Sequence, residues 1–572
     1  MKTYLEKQIR VALGYLENIP EGFDPGEIGI EFQIPNNPEH GDLSSNIAMQ
    51  LARPLQRAPR QIAENLKAVL DLDPKRIAGV EIAGPGFINF RFSNNYLADG
   101  VADILEQGSG FGRTGEGEEK TAIVEYVSAN PTGPLTVGHG RNAVLGDTIA
   151  NLLEWTGYDV TREYYFNDAG RQMRVLGESV RAWYEYFSQG ESGPTKVLDD
   201  GTVVPEAFPD EGYRGEYIVE IASSLHKDRG DELVDGENEK PFKEAAEKAI
   251  FGDIESTLER MDVRMDTFFN ERSLYESSAV WDVVEALKEK DLAYEKEGAV
   301  WFATGKLGKT KSDDEGEHEV DTVLVKSSGE PTYRLPDIAY HMDKLERGFD
   351  KIVDVFGADH IATYPDVIRG VEALGGDASK IDVVIYQFVT LVRGGEPVKM
   401  STRKANFVTL DELMDEVTPD VTRFFFLMRS PNTHLEFDLD LAKEASEKNP
   451  VFYLQYAHAR ICSIIRKVEE TGISLANKPD LSLLVHDSEV DLMKALLRLP
   501  EEIALACEVK GPHKVATYLR EVAVAFNQFY RDCYILGEET QLATARLHLA
   551  RATQYVLANG LAVLGINAPD KM

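Results

Sequence analysis

The order of elements between residues 121 and 166 restricts the fold more than anything else in the chain. A short β-rich run, TAIVEYV, leads through a Pro/Gly loop into the helical RNAVLGDTIANLLEW, which Gly157 ends, and YDVTREYYF follows as a second β-rich run. Strand, helix and strand in that sequence form a right-handed crossover unit, in which the two strands are parallel. Further β-like runs recur at AVWFAT, DTVLVKS, KIVDVFG and IDVVIYQ, separated by helical segments. The expectation is an α/β fold, a Rossmann-like doubly wound parallel sheet, over residues 116–409. Within it the Gly-, Pro- and acid-rich stretch 188–240 reads as an exposed insertion.

A chain of 572 residues is too long for one compact core, and the flanks read as separate units. Residues 1–115 form an expected N-terminal α+β domain. There MKTYLEKQIRVALGYL has helical spacing, LSSNIAMQLARPL opens a helix after the cap-like Asp42 or Ser44, and VEIAGPGFINFRF alternates as a strand broken by a Gly-Pro-Gly bend. The run GSGFGRTGEGEE then reads as a linker. From residue 410 strands give way to long stretches of helical periodicity, which predict an all-helical C-terminal domain over 410–572. Three widely spaced cysteines, Cys462, Cys507 and Cys533, offer no C-x-x-C pair and an odd count, so neither a disulfide framework nor a metal site is expected. No secretory signal is visible, and no stretch approaches about eighteen consecutive apolar residues, so a cytoplasmic protein without a membrane span is expected.

The 97 acidic residues against 61 basic ones leave a net charge of −36, the reverse of the Lys/Arg excess that marks a nucleic-acid binder. The acids are spread through amphipathic segments, so they do not signal a disordered tail. Such a surface suits a halophilic protein, because at 1 M salt screening contracts to about 3 Å and repulsion between surface carboxylates fades. A nucleic-acid partner would then be held through local basic spots and shape.

Chemistry concentrates in two segments. The first, VEYVSANPTGPLTVGHGRNAVLGD, spans residues 124–147 and lies between the first strand and its helix. In a doubly wound sheet ligands bind beyond the carboxyl ends of strands, where a helix N-terminus offers free N–H groups to phosphate. Gly133, Gly138 and Gly140 permit close backbone approach there, and His139 stands where it can donate to a phosphate oxygen. Spacing alone admits equally an ordinary Gly/Pro-rich loop with a surface histidine. The second segment, KMSTRKANFVTL at 399–410, gathers Lys399, Ser401, Arg403 and Lys404 in an acidic protein. It is a candidate clamp for a triphosphate, or else a solvated basic turn.

Read together, about 260 residues apart and in this order, the two segments resemble the signatures of class I aminoacyl-tRNA synthetases, and in detail those of the arginyl-tRNA synthetase family. S-A-N-P-T-G-P-L-x-V-G-H-G-R is similar to the arginyl form of H-x-G-H, with Thr136 at the first histidine position and His139 at the second. K-M-S-T-R-K is close to the family's M-S-T-R-K-G, with Ala405 in place of its glycine. The resemblance implies ATP, with its Mg²⁺, held by Pro131, Thr136, Gly138, His139, Gly140, His360 and Met400. His139, Lys399, Ser401, Arg403 and Lys404 would serve catalysis.

A guanidinium is a planar, always charged fork of donors, so its pocket needs carboxylates together with neutral acceptors and an aromatic wall. Glu125 and Asn130 flank the first signature, and YRLPDIAYHMDKL, residues 333–345, puts Tyr333 and Asp337 four apart at a helix start. By themselves Glu125 reads as a strand-end acid and Asp337 as a helix-dipole partner. By resemblance Glu125, Ser128, Asn130, Tyr333 and Asp337 bind L-arginine, with the division of the carboxylates between its two ends left open. Similarity also extends to GADHIATYP, which contains His360 and Tyr364, and to NDAGRQM, which contains Asn167, Asp168 and Gly170. The N-terminal domain is similar to the family's tRNA-elbow module and the C-terminal one to its anticodon-binding domain, where Tyr453, Tyr456 and Arg460 could stack on bases. The implied activity is ligation of L-arginine to tRNA(Arg), by a monomer. Thr136 also leaves a non-catalytic tRNA-binding relative conceivable.

Overall fold

Val, Ile and Ala side chains that belong on both faces of a buried strand occupy β1 (Thr121–Glu125), whose residues 122–125 are all buried. In the computed structural model, residues 1–16, 24, 27–35, 37–167, 171–190, 192–234, 236, 238–313, 316–398 and 408–572 are described. The strand β1 is the middle of a parallel sheet with β2 (Asp159–Phe166), β3 (Thr267–Asn270), β4 (Lys351–Gly357) and β5 (Ile381–Tyr386), in the order β5-β4-β1-β2-β3. Chain direction across the sheet reverses between β1 and β4, which opens a crevice at their carboxyl ends. The doubly wound fold expected from the 121–166 pattern is therefore present.

Helix α1 (Val137–Trp155) runs back from that crevice and is buried on almost every side, which explains why its sequence is apolar all round rather than striped. A side chain at Gly146 would collide with the Tyr126 ring at 2.1 Å, so this glycine lets α1 lie close on the sheet. Two fully buried arginines fasten the same helix. Arg141, on α1, donates to the carbonyls of Gln387, Ser430 and Thr433, and Arg423 pairs with Asp147 while donating to Met261 O at 2.8 Å and Leu564 O at 3.2 Å.

Several local expectations are corrected. AVWFAT and DTVLVKS do not join the parallel sheet; Ala299–Phe302 and Thr322–Val325 pair antiparallel with each other, and Ala293–Lys296 completes a separate three-stranded sheet. The fifth parallel strand is instead β3, too short to stand out by alternation. The C-terminal region is not strand-free: Leu435–Asp438 pairs in parallel with Val389–Arg393, after which helices Pro450–Glu469, Asp487–Leu496, Leu499–Glu508, His513–Asp532 and Thr540–Val563 form the bundle. The stretch 188–240 is more than an exposed insertion, since Val204, Phe208 and Ile218 are buried and Tyr217 donates to Thr132 O at 2.6 Å.

In the N-terminal domain Leu43–Ser45 is a strand and the following helix, Ile47–Leu55, starts after Asn46 rather than Asp42 or Ser44. Its four-stranded antiparallel sheet shares a core running from Leu5 to Phe90 with three helices, Lys2–Leu13, Ile47–Leu55 and Pro59–Val69. Helix Asn94–Gln107 falls within the expected span 1–115, yet Leu97, Val101 and Ile104 pack in the main core. The Gly-rich run after it is anchored rather than free. Phe111 is buried, and the carbonyls of Gly108 and Phe111 accept from Asn559 at 2.9 and 2.8 Å. Among the described residues no helix is long and apolar enough to cross a membrane.

Candidate functional site

Three carboxylates stand level across the sheet. Asp354 on β4 is the register partner of Glu125 on β1, and Glu125 is the partner of Glu163 on β2. Like charges on adjacent strands repel, so this row needs cations. They come from helix α2 (Arg334–Glu346) and the residue after it, where Asp337, Tyr340, His341, Lys344 and Arg347 follow one another at helical spacing. Lys344, with no exposed surface, donates to Glu125 at 2.6 Å and Asp354 at 2.5 Å. Arg347 forks onto Glu163 at 2.7 and 2.8 Å, where Tyr340 and Thr267 also donate. His341 joins Asp354 at 3.0 Å and the Asp337 carbonyl at 2.7 Å.

Burial works against the Lys344 charge, but Asp354 and Glu125 together hold its pKa above the ordinary lysine value. Asp354 lies below the usual carboxylate range because, against burial, Lys344 and His341 favour its charge. Asp337 differs. Burial pushes it up to about 7, Glu125 and Glu271 add to the rise, and His341 and Lys344 oppose it. Glu271 is itself buried and accepts from Tyr165 OH at 2.9 Å. The crevice end thus gathers the carboxylates of Glu125, Asp337 and Glu271, an environment that favours a cationic guest.

Above this row the chain leaves β1 through Val127 and Ser128, both at positive φ (64° and 40°). That unusual pair turns Ser128 Oγ back to donate to Glu125 at 3.0 Å and to accept from Tyr165 N at 3.1 Å. Asn142 ties the turn to the neighbouring strand, accepting from Val127 N at 2.6 Å and donating to Val355 O at 2.9 Å. The loop then lines a cavity of about 510 Å³ with Asn130, Thr132, Gly133, Pro134, Thr136 and His139 on one side and residues 210–215 with Tyr217 on the other.

Thr136 precedes the first residue of α1, and its N–H donates to His139 Nδ1 at 3.2 Å. With Nδ1 accepting, the proton of the neutral ring sits on Nε2. Burial lowers the His139 pKa, which keeps the ring neutral. The arrangement makes His139 a fixed hydrogen-bond donor at a helix N-terminus, suited to a phosphate oxygen.

The sequence-expected residues divide as follows. Glu125, Ser128 and Asp337 belong to the carboxylate end, while Asn130, Thr136 and His139 line the adjoining cavity. Tyr333 is 70% exposed and lies within electrostatic reach of Tyr213 in that lining, so it stands at the mouth rather than as an inner wall. His360 stacks on Phe356 at 4.9 Å and shares a small cleft with Asp337, His341 and Tyr364. Pro131 is buried, and a Cβ at Gly138 would meet only Thr136 Oγ1, at 3.7 Å. Gly140 owes its lack of a side chain to packing, since a Cβ there would meet Leu410 at 2.5 Å. Lys399, Met400, Ser401, Arg403 and Lys404 lie outside the described residues, as do Asp168 and Gly170. The chain just beyond the first group is fixed beside the histidine loop: Leu410 N donates to Leu135 O at 2.8 Å, and Thr409 bridges to Thr136.

Lys344, Asp354, Glu163, Arg347 and Glu271 were missed. An aspartate inside the otherwise apolar KIVDVFG was the one local signal. In the helical domain Arg460 lies over the rings of Tyr456 and Tyr530 at 4.9 and 5.5 Å, and both tyrosines are partly exposed. Tyr453, half-buried, accepts at its hydroxyl from Asn527 at 2.7 Å, and the same Asn527 accepts from Arg460 at 3.3 Å.

Residues 3–92 match the family described as arginyl tRNA synthetase N terminal domain, 100–429 the tRNA synthetases class I (R) catalytic domain, and 454–572 the DALR anticodon binding domain. The chain is similar to the arginine–tRNA ligases of Salinibacter ruber, 58% identical with 100% of both chains covered, and of Desulfotalea psychrophila, 49% identical over 94% of each. The solved arginyl-tRNA synthetase of Thermus thermophilus shares the fold with a TM-score of 0.76 at 21% identity, with 100% of both chains covered. With these matches in register with the crevice, the histidine loop and the helical bundle, the chain belongs to the arginyl-tRNA synthetase family of class I.

Proposed function

We propose that this protein ligates L-arginine to tRNA(Arg) in two steps, using ATP as its Mg²⁺ complex. The observation that carries the reading is the carboxylate-rich crevice end, Glu125, Asp337 and Glu271, joined through Ser128 and Asn130 to the His139 cavity. Glu125 and Asp337 receive the cationic substrate, and Asn130 and Tyr333 complete its surroundings. In the first step the arginine carboxylate attacks the α-phosphorus in line, forming arginyl-adenylate as pyrophosphate leaves. His139 donates through Nε2–H to a phosphate oxygen, and Lys399, Ser401, Arg403 and Lys404 serve the leaving pyrophosphate. In the second step the terminal ribose hydroxyl of the tRNA takes the arginyl group and AMP departs.

An ammonium cannot satisfy carboxylates arranged for a fork, and acceptors left unpaired in this way discriminate by about 10⁴ or more. Tyr456, Arg460 and Tyr530 offer a stacking surface for anticodon bases. The protein acts as a cytoplasmic monomer, and its −36 charge suits work at high salt. Charging of total tRNA with each amino acid, at low and at molar KCl, tests the reading: arginine alone should be esterified, most efficiently at high KCl. Charging of another amino acid, or none at either salt, refutes it.

A further inference from the structure

Outside the crevice, a second group of reactive side chains gathers where the C-terminal tail meets helix Pro450–Glu469. His458 and Cys462 lie four residues apart, so they leave the same face of that helix, and both are buried, at 3% and 5% exposure. Asp570, from the tail beyond helix Thr540–Val563, is exposed and closes the group from the solvent side. The three candidate ligand atoms lie within 4.8 Å of one another. Cys462 Sγ is 3.8 Å from His458 Nδ1 and 3.4 Å from Asp570 Oδ1.

A tetrahedral ion with a metal–sulfur distance of about 2.3 Å and metal–nitrogen or metal–oxygen distances of about 2.0–2.2 Å spans ligand-to-ligand edges of about 3.5 Å. The sulfur already stands at that spacing from both partners. The surroundings are arranged to match. Gln554 Nε2 donates to the sulfur at 2.9 Å, and Arg551 fixes that amide through its oxygen at 2.7 Å, so an N–H is aimed at the charge a thiolate would carry.

We propose that His458, Cys462 and Asp570 form a binding site for Zn²⁺ that latches the C-terminal tail to this helix. Thiolate, imidazole and carboxylate together select a borderline divalent ion over Mg²⁺ or Ca²⁺, and their two negative charges neutralise it in a half-buried place. Binding breaks the Cys462 S–H bond, forms a sulfur–metal bond and releases one proton to solvent. The His458 Nδ1 contact with Pro569 O, now 3.0 Å, gives way to a nitrogen–metal bond, which repositions the tail. Water completes the fourth position.

The test is titration of the full-length, metal-free chain with Co²⁺, followed by displacement with Zn²⁺. One Co²⁺ per chain with a thiolate-to-cobalt charge-transfer band is expected. Cys462→Ser abolishes the band, and Asp570→Asn, at an exposed position, weakens affinity roughly tenfold or more. The thermal midpoint without metal serves as the folding control, and if Cys462→Ser fails to fold, Asp570→Asn decides alone. Absence of saturable binding, a band that survives Cys462→Ser, or wild-type affinity in Asp570→Asn overturns the proposal.

Discussion

Glu125 and Asp354 stand side by side on adjacent strands and share one fully buried ammonium, that of Lys344, at 2.6 and 2.5 Å. Neither carboxylate has another Lys or Arg partner among the described residues. Lys344→Met therefore leaves two buried acids without their cation and should cost about 3–5 kcal/mol. Chemical denaturation measures this. A loss under about 1 kcal/mol would mean that the row is neutralised some other way.

Arginine binding should depend on pH through Asp337, whose carboxyl is held up to about 7 by burial and by Glu125 and Glu271. Only the ionised form attracts the guest, so affinity for arginine should rise about tenfold between pH 6 and 8. In Asp337→Asn the affinity should be lower throughout and flat with pH. The stability sign is opposite. The folded pKa lies above the ordinary value, so the contribution of this group is complete below pH 3.8 and is lost as pH rises through about 7. Calorimetric titration with arginine across this range checks the binding half.

His139→Asn should lower the rate of tRNA-dependent pyrophosphate exchange roughly 100-fold with little change in the KM for ATP, because the donor matters most where charge develops. Thr136→Ala should lose less than about tenfold, since it keeps the backbone N–H that donates to His139 Nδ1 at 3.2 Å and removes only the hydroxyl 3.3 Å from the same nitrogen. A collapse of activity in Thr136→Ala would give that hydroxyl a direct part.

Tyr456→Ala and Arg460→Ala each break the exposed stack with Tyr530. Either change should raise the KM for tRNA roughly tenfold while leaving the KM for arginine unaltered. Tyr453→Phe should leave both values near those of the unaltered protein, because it keeps the ring and removes only the hydroxyl that accepts from Asn527. Charging kinetics with varied tRNA separate the three.

The parts legible from sequence were those whose geometry is local. A strand, a glycine-bearing loop and a helix start fit within residues 121–155, so the crossover, the phosphate-facing turn and His139 could be read from neighbouring residues alone. Periodicity failed where elements were short or context set their partners, as with Thr267–Asn270, the separate sheet formed by AVWFAT and DTVLVKS, and the strand Leu435–Asp438.

By itself the chain determined the doubly wound architecture, the histidine turn and the family, because each is encoded in contiguous residues whose backbone preferences and spacing act over a few ångströms. Only the tertiary structure decided the electrostatics of the crevice. Glu125, Glu163, Glu271, Asp337, Lys344 and Asp354 are scattered over more than two hundred residues and meet because the strand order reverses between β1 and β4. Their charges are set by which strand lies beside which and by the helix that covers them, and no local pattern carries that information.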